Sequence, residues 1–221
     1  MEGKLKHYLY ISDTKVDMLY AQIEPSLLNR LSIELSIDLK PFGAGVGATV
    51  KPTPQEETHI SKLRLVVKFL EEHHTVGWID APETYFKGSL PMEWGVAFDR
   101  EEARDEPPYA AYFIGQTRRT TVGLVGSTRH LIAKGDDELK YKRLFYTPHA
   151  LLKVLASTTE RPAALHDDEL WPVVYDMQLN TASWRQRPLE FVAVTYVFSS
   201  GHGRDRERFL LGSPIYVAFA E

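Results

Sequence analysis

The chain has 221 residues, of which 43% are hydrophobic and 25% charged, and its 26 Lys and Arg against 30 Asp and Glu give a formal charge of −4. These values are typical of a globular protein, and the absence of cysteine excludes disulfide frameworks, thiol catalysis and Cys-ligated metal sites. The near balance of charge argues against a dedicated nucleic-acid binder, which needs an excess of Lys and Arg.

The length predicts a single domain over residues 1–221, since domains commonly hold about 150 residues. No apolar run approaches the ~20 residues that a membrane-spanning helix needs. The N-terminal residues 1–7 have an acidic second residue and are followed by no apolar signal core. We therefore expect a cytoplasmic protein that does not bind a membrane.

The first forty residues are predicted to hold two strands and a short helix. Residues 7–12 are rich in aromatic and β-branched side chains, which predicts a strand. Capping residues at 12–14 predict a helix that continues to about Tyr20. Residues 31–40 alternate strictly between apolar and polar, which predicts an antiparallel strand with one buried face.

A longer helix is predicted from Thr53 to His74. Thr53 can act as its N-cap, Pro54 suits the first helical position, and Glu56 completes a capping box. The apolar residues at helical spacing are Ile60, Leu63, Val67 and Leu70. We expect this stripe to pack on one face of a sheet.

Strand-like runs dominate the rest of the chain. Pro91 interrupts the run at residues 86–98, and because proline cannot donate to a ladder, this strand should bulge or lie at an edge there. The other predicted elements are a strand at 76–80, an acidic loop at 99–108, a hairpin of 109–116 and 120–126 turning at Arg118–Arg119, helices at 128–134 and 148–157, and strands at 189–199, 206–211 and 215–220. Residues 160–188 receive no assignment. The pattern predicts one α+β domain, whose mostly antiparallel twisted sheet of about seven to nine strands can curl toward a barrel, with one main packed helix and short helices.

The glycine-rich residues 43–48 formally fit the dinucleotide-binding fingerprint. That fingerprint needs a buried strand before it and a helix that starts inside it, whereas here the preceding run alternates and the predicted helix waits until Pro54. No Gly-Lys-Ser/Thr follows, so a P-loop is not predicted either. We expect a loop that uses glycine backbone angles, and no cofactor.

Metal binding is not predicted from the eight histidines. His73 and His74 are adjacent, so on a helix their side chains diverge by about 100° and cannot easily share one ion. Residues 166–169 (HDDE) are rich in metal-ligand types, but they also fit a solvated acidic turn. The aromatic residues follow strand periodicity, which favours core packing over stacking on nucleic acid.

The segment Gly126–His130 (GSTRH) is the most suggestive local cluster. A predicted strand ends at a glycine, hydroxyl side chains follow at a helix N-cap, and Arg129 and His130 lie in the first turn. Free N–H groups and the helix dipole favour an anion at such a point, and Arg118 adds to the basic neighbourhood. The same residues also fit a simple capped helix with an exposed arginine and a partly buried histidine.

A second junction between a strand and a helix lies at residues 12–15 (SDTK). If the sheet places it beside Gly126–His130, the two would form one polar crevice that includes Asp13 and Lys15. Simple N-capping is the alternative interpretation.

Four segments together carry a family resemblance: residues 8–17 (YLYISDTKVD), 79–82 (IDAP), 126–130 (GSTRH) and 211–214 (LGSP). The chain resembles, over most of its length, a bacterial family seen largely in actinomycetes that has no assigned biochemical function. The resemblance implies a bacterial cytoplasmic protein with a role in a signalling or defence locus. It carries over no active-site residues.

The leading functional hypothesis is a non-catalytic binding or regulatory module whose ligand is an anionic small molecule. The predicted ligand-binding residues are Gly126, Ser127, Arg129, His130, Arg118, Asp13 and Lys15. One alternative is an enzyme acting on a phosphorylated or nucleotide substrate, with His130 as general acid or base and Arg129 on the developing charge. A second alternative is a protein-interaction module that uses an exposed sheet edge or apolar patch.

Overall fold

A computed structural model describes residues 6–38, 58–97, 109–132, 155, 172–175, 177, 186–199 and 208–220. They belong to two compact units: a helical unit, Asp13–His74, and a barrel unit, Lys6–Ser12 with Thr75–Glu221. In chain order the elements are β1 (Tyr8–Ile11), α1 (Asp13–Tyr20), α2 (Pro25–Asp38), α3 (His59–His73), β2 (Val76–Trp78), β3 (Tyr85–Ala97), β4 (Ala110–Gln116), β5 (Thr120–Ser127), a 3-10 turn (Thr128–His130), β6 (Arg187–Ser199) and β7 (Arg208–Phe219). The fold is α+β, as predicted.

Some predicted features lie outside the described residues. They are the glycine-rich residues 43–48, the helix start at 53–56, the acidic loop at 99–108, the HDDE segment at 166–169, and the predicted helix at 148–157 apart from Leu155. Leu155 is helical and fully buried.

Five strands of the barrel unit close into a ring, in the order β3–β4–β5–β7–β6 and back to β3. β1 pairs with β7 and β2 with β3, so the sheet has seven strands. The pairs β2–β3 and β5–β7 are parallel and the other pairs are antiparallel. The prediction of a mostly antiparallel sheet curled toward a barrel is therefore confirmed.

The two faces of the ring carry separate clusters of buried side chains. One cluster includes the helical residues Leu155, Val173 and Met177, which cover the outer face of the ring. The other cluster fills the interior with large side chains; among its members are Phe86, Met92, Phe113, Leu124, Phe191 and Leu210. The interior of a small barrel of this kind is a packed core of side chains.

Pro91 lies inside β3 without a bulge. The β3–β6 register is regular there and sets Pro91 opposite Pro188, so two residues without N–H groups face each other. On the other side of β3, pairing with β2 ends at Lys87 and pairing with β4 starts at Met92. Pro91 therefore occupies a gap between two neighbours, which is a local edge within an interior strand.

The two strands predicted at 206–211 and 215–220 are one strand, β7. The register with β6 passes from Ala193↔Pro214 to Val192↔Tyr216, which leaves Ile215 as the extra residue of a β-bulge. A bulge accommodates proline and bends the strand. β7 pairs with β5 up to Gly212 and with β1 from Tyr216, so the bulge marks the change of neighbour.

The prediction of a strand at residues 31–40 is wrong, because residues up to Asp38 belong to α2. Leu31 is fully buried while Ile33, its partner in the alternating pattern, is 61% exposed. The half-buried Leu28 and Leu35 lie three and four residues from Leu31, on the same helical face. The alternating run also fits a helix, and Pro25 begins that helix at the position where proline is favoured.

Ion pairs connect the helices of the helical unit. Lys62 Nζ of α3 lies 2.9 Å from Asp17 Oδ1 of α1, and Lys68 Nζ of α3 lies 2.7 Å from Glu34 Oε2 of α2. The described part of α3 begins at His59, after Thr58, whose hydroxyl accepts a hydrogen bond from the Ser61 N–H. The buried stripe of α3 differs from the predicted one and comprises Leu63, Leu65, Val66 and Leu70; Ile60 is 42% exposed.

Among the described helices, none combines the length and the apolar character that crossing a membrane requires.

Candidate functional site

The segment after β5 is a single 3-10 turn, Thr128–His130, and the predicted helix at 128–134 is therefore wrong within its described part. Ser127 makes no side-chain capping hydrogen bond, and Leu131 bridges to Tyr10 directly after the turn. Residues directly after the turn therefore pair with β1, and the chain does not continue as a helix there. The helix dipole on which the anion-binding argument rested is absent at this point.

The structure gives the GSTRH segment a packing role against β1. The Tyr10 ring lies edge-on to the His130 imidazole, with 5.9 Å between centroids, and edge-on to Phe113 at 6.0 Å. A Cβ at Gly126 would overlap the Tyr10 hydroxyl, so only glycine leaves room for that ring. His130 is 8% exposed and Tyr10 fully buried. Gly126 and His130 therefore hold Tyr10 at the end of the barrel.

Backbone hydrogen bonds join the segment at 8–17 to residues that follow shortly after two other resemblance segments, 126–130 and 211–214. The Ile132 N–H donates to the Leu9 carbonyl at 2.9 Å, and the Ser12 N–H donates to the Ile215 carbonyl at the β7 bulge at 2.8 Å. The fourth segment contributes Asp80, which accepts a hydrogen bond from the Thr120 hydroxyl at 2.8 Å. These contacts give residues in or beside the four segments structural roles within the barrel unit.

The basic residues of the predicted site are not all neighbours. Arg129 is exposed beside His130, but Arg118 is in the turn between β4 and β5, at the other end of β5. The seven steps from Thr120 to Ser127 span roughly 23 Å at ~3.3 Å per residue. The grouping of Arg118 with Gly126–His130 is therefore wrong, because an extended strand separates them.

Lys15, which the sequence also singled out, has an unusual environment. It lies in the first turn of α1 and is 3% exposed. No described residue makes an ion pair or hydrogen bond with its ammonium group. Burial lowers the pKa of Lys15 to about 8 from the usual 10.5. An unpaired buried amine of this kind is a recognised mark of functional sites.

Asp13, the other predicted residue on α1, points away from Lys15. Asp13 and Asp17 lie four residues apart on one face and pair with α3: His59 Nε2 is 3.2 Å from Asp13 Oδ1, and Lys62 pairs with Asp17. Lys15 is two residues from each aspartate, which on a helix is about 200° of rotation. Both aspartates therefore form ion pairs with residues of α3, and neither pairs with Lys15.

Lys6 shows how a lysine of this chain is normally satisfied. Its Nζ lies 2.6 Å from Glu190 Oε1 and 5.5 Å from the centre of the Tyr216 ring. Burial lowers the pKa of Lys6, but the hydrogen bond to Glu190 and the nearby tyrosines outweigh burial, so the net pKa is raised. Lys6 already has a carboxylate partner, whereas Lys15 has none among the described residues, so Lys15 is the better candidate for binding a ligand.

The sequence carried a signal for the burial of Lys15. Lys15, Val16 and Leu19 form one buried face of α1, and a lysine four residues before a leucine on an apolar face is a candidate buried cation.

The sequence pattern gave no indication of Arg208, which the β5–β7 pairing brings next to the turn at Arg118 and Arg119.

Within the described ranges, no three His, Asp or Glu side chains are grouped so that they could hold a metal ion. His73 instead contacts Arg30, with 3.2 Å between Nε2 and the guanidinium Nη2.

A packing role for His130 predicts different outcomes for two substitutions. His130→Ala should lower the free energy of unfolding by about 1–3 kcal/mol, because the edge contact with Tyr10 is lost. His130→Phe keeps an aromatic ring there and should stay within about 1 kcal/mol of wild type. Urea unfolding measures both, and equal losses in the two variants would show that the imidazole nitrogens, and not packing, matter.

No curated protein and no solved structure gives a significant match to the chain. The sequence profile of DUF7019, a family of unknown function, matches residues 6–221, and the chain therefore belongs to that family.

Proposed function

We propose that the protein is a non-catalytic binding module for a small anionic ligand, and that the Lys15 ammonium is the cation that pairs with it. The observation that carries this proposal is the burial of Lys15 to 3% exposure without a charged or hydrogen-bonding partner among the described residues. A buried charge is costly unless it is paired, and an anion brought by a ligand would supply the missing partner.

The position of Lys15 on α1 adds a second favourable contribution. The first turn of an α-helix has N–H groups without intrahelical partners, and the helix dipole favours negative charge there. Lys15 is the third residue of α1, so its ammonium and these N–H groups belong to the same turn. The Asp13 carboxylate, which would oppose an anion, pairs with His59.

The family resemblance supports placing this binding function in a bacterial cytoplasm, as a regulatory module of a signalling or defence locus. The burial of His130 under Tyr10 favours a packing role for that residue, so the enzyme hypothesis gains no support from its environment.

Ligand identification and a lysine variant test the proposal together. The protein is purified, denatured and searched for co-purified anions by mass spectrometry; thermal unfolding is then followed with inorganic phosphate, AMP and citrate. A ligand at about 100 times its Kd should stabilise the wild type by about 2.7 kcal/mol. Lys15→Met should remove the part of that stabilisation that arises from the Lys15 site, whereas Lys62→Met, which removes a paired lysine of the same unit, should keep all of it.

Two results would contradict the proposal. One is equal stabilisation of Lys15→Met and wild type by the same anion. The other is a wild type from which no anion co-purifies and which none of the three probes stabilises.

The ligand-free protein should show a distinctive pH dependence. The pKa of Lys15 is about 8 in the folded state and near 10.5 when unfolded, so between these values the unfolded state binds more protons. Stability of the wild type relative to Lys15→Met should therefore rise as the pH increases from about 8 to 10. Chemical unfolding of both proteins at fixed pH values measures this difference; a flat difference would mean that Lys15 titrates normally.

A further inference from the structure

We propose a second anion site at the end of β5 opposite the Thr128–His130 turn, where Arg118, Arg119 and Arg208 form an arginine triad that binds a phosphate monoester. This inference does not depend on the Lys15 site. Arg118 and Arg119 lie in the turn between β4 and β5, and Arg208 is the first residue of β7.

Hydrogen bonds hold the backbone of the arginine triad in place. The Thr117 hydroxyl accepts from the N–H groups of Arg119 at 3.2 Å and of Thr120 at 2.9 Å. The Arg208 N–H donates to the Arg119 carbonyl at 3.0 Å, and Arg208 pairs with Thr120 in the parallel β5–β7 ladder. Neighbouring strands lie about 4.8 Å apart, so the backbone positions of the three arginines lie within one small area of the barrel unit. Such preorganisation lowers the entropic cost of binding.

The charge of this area is not neutralised within the described residues. No described carboxylate forms an ion pair with any of the three arginines, of which Arg118 and Arg119 are exposed and Arg208 is half-buried. Within the described part of the chain, a nearby carboxylate is that of Asp80, whose Oδ1 accepts a hydrogen bond from the Thr120 hydroxyl. Among the described residues this area therefore holds three cations and one carboxylate.

These properties match a phosphate monoester better than an extended polyanion. A phosphate monoester carries about −1.5 to −2 charges at pH 7 and three acceptor oxygens. Guanidinium groups donate to phosphate through two parallel N–H groups, and they stay charged at every physiological pH. The triad occupies one turn and the first residue of the neighbouring strand β7, which suits one phosphate group, whereas a nucleic-acid backbone needs a longer basic track.

Titration calorimetry of the full chain at low ionic strength tests this site. The probes are inorganic phosphate, glycerol phosphate, a phosphoserine peptide and the same peptide without phosphate. Arg119→Gln and Arg208→Gln should each weaken phosphate binding about tenfold, since each removes charge-assisted hydrogen bonds. Arg187→Gln is the matched control, because Arg187 is an exposed arginine at the far end of β6 from Arg208, and it should change Kd less than about twofold.

The arms of the experiment separate the possible outcomes. Tighter binding of the phosphopeptide indicates a phosphorylated protein as the source, and tighter binding of glycerol phosphate indicates a small molecule; both support the triad. The same titrations in a Lys15→Met background, where the Lys15 ammonium is absent, should still show the phosphate binding that Arg119→Gln and Arg208→Gln weaken, which separates the two proposed sites. The proposal is overturned if phosphate binding is undetectable, or if Arg119→Gln and Arg208→Gln bind as tightly as wild type.

Discussion

Phe86→Ala should lower the free energy of unfolding by about 3–5 kcal/mol, which is the usual cost of removing a large buried ring. Phe86 is fully buried in the barrel interior, and its ring lies edge-on to Phe191 with 5.7 Å between centroids. Its Cε1 atom lies 2.6 Å from the position that a Cβ on Gly212 would take, so β7 is shaped around this ring. Five hydrogen-bonded strands surround the ring, and they cannot collapse into the cavity that alanine would leave.

Trp78→Ala serves as the control for this prediction. Trp78 is also aromatic and lies in the barrel unit, but it is 62% exposed, and the Lys87 ammonium lies 5.3 Å from the centre of its ring. Its loss should cost less than about 1 kcal/mol. Urea unfolding compares the two, and similar losses would mean that Phe86 does not belong to a closed, packed interior.

Gly126→Ala should destabilise the protein by about 1–3 kcal/mol, because the added methyl group would overpack the site. The new Cβ would overlap the Tyr10 hydroxyl and lie 2.7 Å from Tyr10 Cζ. Tyr10 cannot swing aside easily, since Phe113 and His130 contact its ring and it is fully buried. The usual gain from replacing a strand glycine, about 0.5–1 kcal/mol, offsets only part of this cost.

Two further variants of the chain test whether the cost of Gly126→Ala comes from the overlap with Tyr10. In Gly123→Ala, three residues along the same strand, the nearest atom would be Leu211 Cδ1 at 3.3 Å, which can shift, so stability should change by less than about 1 kcal/mol. In a Tyr10→Phe background, Gly126→Ala should cost about 1 kcal/mol less than in wild type, because the overlapping hydroxyl is gone. Additive losses in the double variant would show that Gly126 and Tyr10 do not interact.

Tyrosine ionisation will overlap any alkaline measurement and must be considered with the Lys15 prediction. Burial raises the pKa of Tyr196 and of Tyr216 to about 12. Above about pH 10 the unfolded state loses these protons first, so stability should fall there. The comparison of wild type with Lys15→Met removes this contribution because both proteins carry the same tyrosines.

Local sequence signals predicted the elements whose neighbours in the chain are also their neighbours in space. The β4–β5 hairpin with its turn at Arg118–Arg119 is as predicted, because two strands joined by a short turn need no distant partner. The helix α1 likewise begins within the capping segment at 12–14 and ends at Tyr20, as the local pattern predicted. The long strand containing Pro91 was also predicted, although the gap between β2 and β4 that accommodates this proline depends on strands elsewhere in the chain.

Sequence reasoning failed where one local pattern fits two kinds of secondary structure. Residues 31–38 alternate like a strand, but the same leucines also lie on one face of α2, and packing of Leu31 decides between them. The GSTRH segment offered capping residues, yet bonds from Leu131 and Ile132 to β1 limit it to a 3-10 turn. In both cases distant contacts outweigh a weak local preference.

By itself, the sequence determined the α+β composition, the absence of thiol chemistry and most strand positions, since these depend on residue type and local periodicity. The tertiary structure alone decided how the basic residues are distributed. It separated Arg118 from Gly126–His130 by the length of β5 and brought it next to Arg208, ninety positions later in the chain. The physical reason is that strand pairing, set by hydrogen bonds and side-chain packing between distant segments, fixes which charges become neighbours.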